Sequence, residues 1–352
     1  MNVDTVTLIF CLFPMLNLHI FHYIGFIGAQ IFNSILAFLI VMRAGKLFGP
    51  YRHVMFIFTL CSMWYSWVEV LTQPVVHMKG PMFVVFMDQT LFSTRIDDFA
   101  ICLHCGTFGF IISLLVAQYF YRYCVICKPN LLNIFEGYRL GFLFLLSLFV
   151  YVFWFELVNL GMPGTIEKRE FLLEDFKDLF NLDAKKVTMI GPMYWSTGIL
   201  GERQWRFWDI AASGILCCIT GTLCSLILFF AVNIYSFMEK AKSHMSQRTL
   251  ELNRQLFIML VIQTVFPFTT MYIPVGLLML LPLINMSLGA YTSYLSATVA
   301  IYPMIEPLIA MYCITDFRNF IRNFISKILG FRKDPTITDV SVTIDTGLVL
   351  TL

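Results

Sequence analysis

Seven stretches of this chain are apolar over lengths that suit a membrane-crossing helix, and this feature constrains the fold more than any other. A helix needs about twenty apolar residues to cross the roughly 30 Å of hydrocarbon in a bilayer. Of the 352 residues, 59% are hydrophobic and 13% are charged, so a single aqueous core cannot bury the apolar surface. The sequence predicts an all-α membrane protein with spans at about 18–42, 52–76, 99–121, 140–161, 209–235, 255–281 and 288–313.

The segments outside the spans complete the predicted organisation of the chain. Residues 1–17 are apolar but short and interrupted by Asp4, so we expect an extracellular N-terminus followed by a seven-span domain over 18–313. The large polar loop 162–208 has apolar residues at helical spacing, namely Leu172, Phe176, Leu179 and Phe180. That segment is interpreted either as an amphipathic helix over the outer mouth or as a solvated loop helix.

Residues 314–331 predict an amphipathic helix on the inner membrane surface, in the position of a helix 8. Its apolar stripe consists of Phe317, Phe320, Ile321, Phe324, Ile325, Ile328 and Leu329. Basic residues flank the stripe at Arg318, Arg322 and Lys327. The tail that follows, 332–352, contains several hydroxyl residues and is interpreted either as a phosphorylation target or as unmodified.

Lysine and arginine are concentrated on one side of the predicted spans, which fixes the orientation. The basic set comprises Arg43, Lys46, Arg52, Arg122, Lys128, Arg139, Lys240, Lys242, Arg248, Arg254, Arg318, Arg322, Lys327, Arg332 and Lys333. The opposite side has Lys79, Arg95 and the long loop, whose acids balance its basic residues. We therefore expect the N-terminus outside and the C-terminus in the cytoplasm. A seven-helix bundle in that orientation has the topology of a G-protein-coupled receptor.

Arg122 stands between Tyr121 and Tyr123 at the cytoplasmic end of the third span. It is either an ordinary arginine that extends to the lipid headgroups or a switch residue that reorganises when a G protein docks. The topology and the amphipathic helix favour the switch. The basic residues of the inner loops, with Arg254 among them, are expected to belong to the same G-protein-coupling surface.

The last span carries Pro303, Glu306 and Pro307 near its inner end. Each proline leaves a carbonyl without its helical partner, at Val299 and at Pro303, so a kink is expected there. A glutamate at that depth is costly in lipid and is expected to face the bundle interior. The group is interpreted either as a hinge that couples ligand binding to opening of the cytoplasmic face or as a static kink. We favour the hinge.

The second span carries another intramembrane acid, Glu69, which could contact a ligand, bind a cation or belong to an internal hydrogen-bond network. The network is favoured. Cys102, His104 and Cys105 do not form a metal-ligand pattern, and no metal site is expected. The predicted ligand pocket comprises Cys102, Cys105, Phe108, Gly109, Tyr272 and Tyr294. With no catalytic or phosphate-binding motif, the sequence predicts neither an enzyme nor a cofactor, and no nucleic-acid partner.

Four segments resemble the Str family of nematode serpentine chemoreceptors and its Srj and Srh relatives. They are Phe48–Phe86, Phe120–Arg139, Glu251–Gly289 and the last-span sequence YPMIEPLIAMYCITDFRNFI, in which Glu306 stands where the family signature has aspartate. The resemblance covers nearly the whole chain. It implies an olfactory-type G-protein-coupled receptor in the plasma membrane of chemosensory neurons, in their sensory cilia. It also implies an odorant or water-soluble chemical as ligand and a heterotrimeric G protein as partner.

Two other functions compete with this interpretation. Some arthropod odour receptors are seven-span ligand-gated cation channels, but their N-terminus is inside, and the distribution of lysine and arginine here predicts the opposite. A small-solute transporter would favour internal repeats and paired broken helices, and neither is found in the sequence.

Overall fold

The computed structural model describes residues 3–44, 48–91, 93–135, 137–198, 200–243, 246–286, 288 and 292–328. Within these ranges, the side chains of 3–16, 94, 133, 134, 137, 138, 243, 293 and 294 lie outside the description. Seven helices are long and apolar enough to cross a membrane, which confirms the predicted seven-helix bundle. The spans are Asn17–Ala44, Tyr51–Thr72, Arg95–Cys127, Arg139–Gly161, Phe207–Lys240, Gln247–Ile284 and Leu295–Cys313.

The helices of the bundle vary in regularity. The first five spans contain the α-helices Val3–Leu39, Tyr51–Thr72, Thr94–Cys127, Phe142–Gly161 and Phe207–Lys240. The sixth is built from Gln247–Pro267, the π-helical turn Phe268–Tyr272, Ile273–Leu280 and the 3₁₀ turn Leu281–Ile284. The seventh is Ser293–Cys313. The π-helical turn directly follows Pro267, because proline removes a helical donor and displaces the hydrogen-bond ladder.

Shorter helical elements connect the spans. A π-helical turn, Ile40–Ala44, ends the first span, and the 3₁₀ turns Pro129–Phe135, Gly137–Gly141 and Ala241–Ser243 lie at the inner loops. The outer loop contains the helices Ile166–Phe171 and Leu173–Phe180.

Glycines let the first and seventh spans approach closely. A side chain at Gly25 would collide with the backbone carbonyl of Ala300, and one at Gly28 would collide with Met304. Small residues at such crossings allow the van der Waals contact that holds helices together in lipid, where no hydrophobic force acts between them.

Replacing Gly25 with alanine is expected to destabilise the bundle by about 1–3 kcal/mol, because the backbone of the seventh span must move. Gly214→Ala is the matched control, since nothing lies within 4 Å of a Cβ added at that position of the fifth span. Thermal unfolding of the purified chain in lipid nanodiscs measures both. Equal melting of the two variants would contradict the close approach of the first and seventh spans.

A three-stranded antiparallel sheet covers the outer end of the bundle. Its strands are β1, Pro74–Lys79, β2, Met82–Met87, and β3, Thr188–Ile190, in the order β1-β2-β3. The strands β1 and β2 form a hairpin that turns at Gly80, whose φ of 48° suits glycine. Two further strands, β4, Trp195–Thr197, and β5, Arg203–Trp205, form a separate hairpin.

The sheet was not predicted, because its first strand reads as a continuation of the second span. The span was expected to reach residue 76, whereas the helix ends at Thr72 and the backbone turns at Gln73, whose φ is 39°. Residues 74–76 are instead the start of β1. We call β1, β2 and β3 the outer sheet.

Both faces of the outer sheet are apolar, since successive strand residues point to opposite sides. Phe83 and Val85 of β2 pack towards the helical bundle. Val84 and Phe86 point to the other side, where the rings of Phe86 and Phe176 lie 4.6 Å apart. The loop helix Leu173–Phe180 therefore packs on the outer sheet, and it also contacts the first helix of the bundle.

The C-terminal helix Thr315–Ile328 is present, as predicted. Phe317 is fully buried against the inner end of the bundle, and the guanidinium of Arg43 lies over the ring of Phe320. Phe324 and Ile328 are exposed at its outer face, which suits a helix that lies in the membrane surface. Residues 329–331 of the predicted helix lie outside the described residues.

Candidate functional site: an outer cavity and an inner polar core

A cavity of about 80 Å³ lies directly beneath the outer sheet. Spans three to seven form its walls, and all three strands of the sheet contribute to its roof. Representative lining residues are Phe83, Val85, Phe108, Trp154, Leu216 and Leu278. The lining is largely hydrocarbon, so the cavity suits a compact organic molecule better than an ion.

The predicted pocket residues fall on or behind the cavity wall. Cys105 and Phe108 line it. Tyr272 lies behind Phe108 and donates a hydrogen bond of 3.0 Å from its hydroxyl to the carbonyl of that residue. Gly109 leaves room for the ring of Trp154, which itself lines the cavity.

Of the other two predicted pocket residues, one lies off the cavity wall and the other has a side chain outside the description. Cys102 is buried beside the wall, with its thiol 4.0 Å from the side-chain oxygen of Asn159. The side chain of Tyr294 lies outside the described residues.

Two hydroxyl side chains, one in the seventh span and one at its N-cap, hold the outer sheet over the cavity. The backbone N–H of Val76 donates to the Ser296 hydroxyl at 3.2 Å, and the Thr292 hydroxyl donates to the Val76 carbonyl at 3.0 Å. The sheet is therefore fastened to the span that carries the predicted hinge, so movement of either is transmitted to the other.

An ionisable cluster ties the sheet to the outer loop. Nε2 of His77, on β1, lies 3.0 Å from the Asp175 carboxylate of the loop helix, and Nζ of Lys79 lies 2.6 Å from the same carboxylate. Burial lowers the pKa of His77 below its ordinary 6.5, although Asp175 partly opposes this. Burial also acts to raise the pKa of Asp175, but bonding to Lys79 and His77 outweighs it and the pKa is lowered.

The outer sheet is expected to open more readily as the pH falls through the region below about 6.5. His77 binds a proton more weakly in the closed sheet than in an opened one. Acid therefore favours the opened form, and this effect stops growing once the pH is below the pKa of His77 in the closed sheet. Hydrogen–deuterium exchange of β1 and β2, compared at about pH 7.5 and about pH 5.5 after correction for intrinsic rates, measures this. The variant His77→Phe should lose the difference, and a full pH response in that variant would exclude His77 as its source.

Glu69 occupies a buried polar cluster that joins the first three spans. Its Oε1 lies 3.4 Å from Nδ1 of His22, and its Oε2 lies 3.1 Å from Nδ1 of His104. All three side chains are at most 3% exposed. Among the described residues, no set of three or more His, Cys, Asp or Glu side chains has the arrangement of a metal site.

At the inner end of the bundle, Arg122 is buried and bound to neighbouring spans. Its guanidinium donates a 2.9 Å hydrogen bond to the side-chain oxygen of Asn253 on the sixth span. It also lies over the ring of Tyr51 on the second span, 5.0 Å from the ring centre. The ring of Tyr51 stacks on Tyr121 at 5.7 Å. Arg122 thus links the third span to the second and sixth and is only 4% exposed.

The structure separates the other two predicted coupling residues from Arg122. Tyr123 turns towards the fifth span, where its ring lies 5.4 Å from that of Phe230. Arg254 is exposed and lines a cleft between the inner ends of the fifth and sixth spans. Tyr123 therefore packs against the fifth span and Arg254 faces an open cleft, whereas Arg122 links neighbouring helices.

Glu306 and the two prolines beside it are bonded to other spans. The Gln263 amide of the sixth span donates to the Glu306 carboxyl, and both side chains are buried. The carbonyl of Pro303, which Pro307 leaves free, accepts a 3.0 Å hydrogen bond from the Asn33 amide of the first span. The carbonyl that Pro307 leaves free is therefore hydrogen-bonded to the first span in the present arrangement.

The sequence interpretation missed the partners in both inner contacts. Asn253 and Gln263 are neutral amides in apolar or mixed stretches of one span, and neither forms a motif with its neighbours. Gln263 did carry a signal, because an amide between Ile262 and Val265 at membrane depth needs a polar partner. The identity of that partner depends on how the helices pack.

The family model for the serpentine type 7TM GPCR chemoreceptor Str matches residues 18–322. The chain belongs to this family. It is a G-protein-coupled, multi-pass membrane chemoreceptor, as the sequence resemblance predicted. Similar relatives include the G-protein coupled receptor str-33 of Caenorhabditis elegans, 25% identical over 84% of this chain and 86% of the relative. Serpentine receptor class r-10 of Caenorhabditis briggsae is 26% identical over 86% of this chain and 88% of the relative.

The receptor also resembles solved structures of the same fold. Squid rhodopsin aligns with a TM-score of 0.53 and 12% identity, over 91% of this chain and 87% of the rhodopsin chain. This likeness shows the seven-helix receptor fold. It carries no information about the ligand, because side chains in the cavity are not shared at such identity.

Proposed function

We propose that the receptor binds a small organic molecule in the outer cavity and passes the signal to a heterotrimeric G protein at its cytoplasmic face. The receptor would lie in the plasma membrane with its N-terminus outside, in the sensory cilia of chemosensory neurons. The observation that carries this proposal is the apolar cavity between the helices that also form the inner contacts of Arg122 and Glu306.

The proposed mechanism is a shift between two arrangements of the helices. Ligand in the cavity pushes on the sixth and seventh spans, which reach from the cavity to the inner core. The kinks at Pro267 and at Pro303 and Pro307 allow the inner halves of these spans to swing. Separation of Asn253 from Arg122 then opens the cytoplasmic face, and the released Arg122 meets the G protein together with Arg254 and Tyr123.

The test uses cells that express the full chain, screened against volatile and water-soluble compounds with a second-messenger reporter and simultaneous current recording. Val275→Trp should abolish responses by filling the cavity, since Val275 lines it. Leu277→Trp is the matched control on the same helix, because Leu277 faces outwards and is 52% exposed. Arg122→Ala and a G-protein blocker should each remove the response. A ligand-evoked current that survives the blocker would support an ion channel instead.

A further inference from the structure

The wall of the outer cavity offers few polar groups to a ligand. Four lining side chains carry one, namely His104, Cys105, Trp154 and Ser296. The Ser296 hydroxyl already accepts the N–H of Val76, and a thiol such as that of Cys105 bonds weakly. The indole N–H of Trp154 can only donate, so His104 is the strongest hydrogen-bond acceptor among the side chains of the described wall.

The imidazole of His104 is held in one orientation. Its Nδ1 lies 3.1 Å from the Glu69 carboxylate, and its ring meets the Phe108 ring edge-on, with centres 5.7 Å apart. The other ring nitrogen, Nε2, has no hydrogen-bond partner among the described residues. Since Nδ1 and Nε2 lie on different edges of the ring, Nε2 is the nitrogen that remains for a ligand.

The carboxylate of Glu69 determines which ring nitrogen of His104 carries the hydrogen. A carboxylate only accepts hydrogen bonds, so the neutral imidazole facing it carries its hydrogen on Nδ1. Its Nε2 is then an acceptor. Glu69 is itself surrounded by groups that can donate, because Nδ1 of His22 and the hydroxyl of Tyr65 face it as well. The other titratable group close to the carboxylate is the thiol of Cys105.

We propose that Nε2 of His104 is the recognition group of the cavity. The ligand would be a compact, mostly apolar molecule with a single hydrogen-bond donor, such as an alcohol, a phenol or an uncharged N–H compound. This inference rests on the proposed function insofar as it takes the outer cavity to be the ligand site. Glu69 and His22 are positioning residues, which act on the ligand only through the orientation and tautomer of His104.

The first experiment reads the tautomer directly and does not depend on signalling. The full chain, labelled with ¹⁵N-histidine and held in lipid nanodiscs at about pH 8, gives ring-nitrogen signals that distinguish the Nδ1–H form, the Nε2–H form and the imidazolium. The signal of His104 is assigned by its loss in His104→Asn. The proposal expects the Nδ1–H form, and either of the other two forms overturns it.

The second experiment adds probes of matched size, namely hexane, hexan-2-one and hexan-1-ol, to the same nanodiscs. The alcohol should shift the Nε2 signal of His104 more than the ketone or the alkane does. The shift should be smaller in Glu69→Gln, where the tautomer is no longer fixed. An equal or larger shift with the ketone, or no shift with any probe, overturns the ligand assignment. Failure of the receptor to couple to a G protein would leave these results unchanged, so the two proposals fail separately.

A pair of variants separates recognition from structural support. Asparagine at 104 places its amide near the position of Nδ1 and keeps a partner for Glu69, whereas glutamine reaches the position of Nε2. Binding of hexan-1-ol should fall at least about tenfold in His104→Asn, the loss of about one good hydrogen bond. His104→Gln should retain more of it. The reverse order would mean that His104 only supports the fold.

Discussion

Replacing Lys168 with alanine is expected to prevent most of the receptor from reaching the cell surface, through a loss of about 3 kcal/mol in stability. Nζ of Lys168 lies 2.5 Å from the Asp209 carboxylate at the start of the fifth span and donates to the carbonyls of Gly191 and Pro163. Burial lowers the pKa of Lys168, and the Asp209 carboxylate opposes this. Without the ammonium, the carboxylate is left buried with Arg206 as its remaining ionic partner.

Surface labelling of intact cells and thermal unfolding of the purified chain measure the effect of Lys168→Ala. Lys186→Ala is the matched control, because Lys186 lies in the same loop and is exposed. The double variant Lys168→Met, Asp209→Asn should recover part of the stability, since it removes the unpaired charge together with its partner. Wild-type melting of Lys168→Ala would show that this ion pair does not hold the loop to the fifth span.

Replacing Asn253 with alanine is expected to raise signalling without ligand by about tenfold. The bond from Arg122 to Asn253 joins the third and sixth spans in the closed arrangement, and a hydrogen bond to a charged group contributes about 1.5–3 kcal/mol. If the open arrangement lacks this bond, its loss favours the open state by a comparable amount, and about 1.4 kcal/mol corresponds to tenfold. A second-messenger reporter, normalised to surface expression, measures the basal signal.

Asn233→Ala provides the control for that experiment, because it removes an asparagine from the inner half of the neighbouring fifth span. The amide of Asn233 donates to the Phe229 carbonyl of its own helix, so its loss breaks a bond within one span. The basal signal should stay unchanged. Arg122→Ala should differ from Asn253→Ala, because it removes the arginine that the open state is proposed to present to the G protein. A fall in basal signal in Asn253→Ala would place the bond in the active arrangement.

The bundle could be predicted from the sequence because hydropathy alone marks a span, whatever its neighbours are. The outer sheet could not be predicted in the same way. Its strands are apolar on both faces, since one faces the cavity and the other faces the loop helices, so β2 shows no alternation. The dipeptide Gly80-Pro81 between two apolar runs did mark a turn. Hydropathy alone nevertheless could not separate β1 from the second span, because both are apolar and adjacent in the sequence.

Some site residues could be recognised in the sequence itself, whereas their contacts depend on how distant segments pack together. Arg122, Glu69 and Glu306 could be selected from the sequence, because an ionisable side chain at membrane depth is costly and therefore indicates a structural or functional role. Their partners Asn253 and Gln263 are not ionisable and could not be selected by this criterion. His104 was visible only as part of an incomplete metal pattern. Its proximity to Glu69 depends on the rotation of the third span against the second, which a single sequence does not determine.

The hydrogen-bonded outer sheet limits how quickly a molecule bound in the cavity can be replaced. A binding site under such a roof exchanges its contents only when strands or helices separate, so the lifetime of the closed roof limits how quickly a bound molecule is replaced. A receptor of this kind averages over rapid fluctuations of a chemical plume and reports its slower changes. The fastenings at Ser296 and Thr292 would then set the shortest interval over which an animal could tell rising from falling concentration.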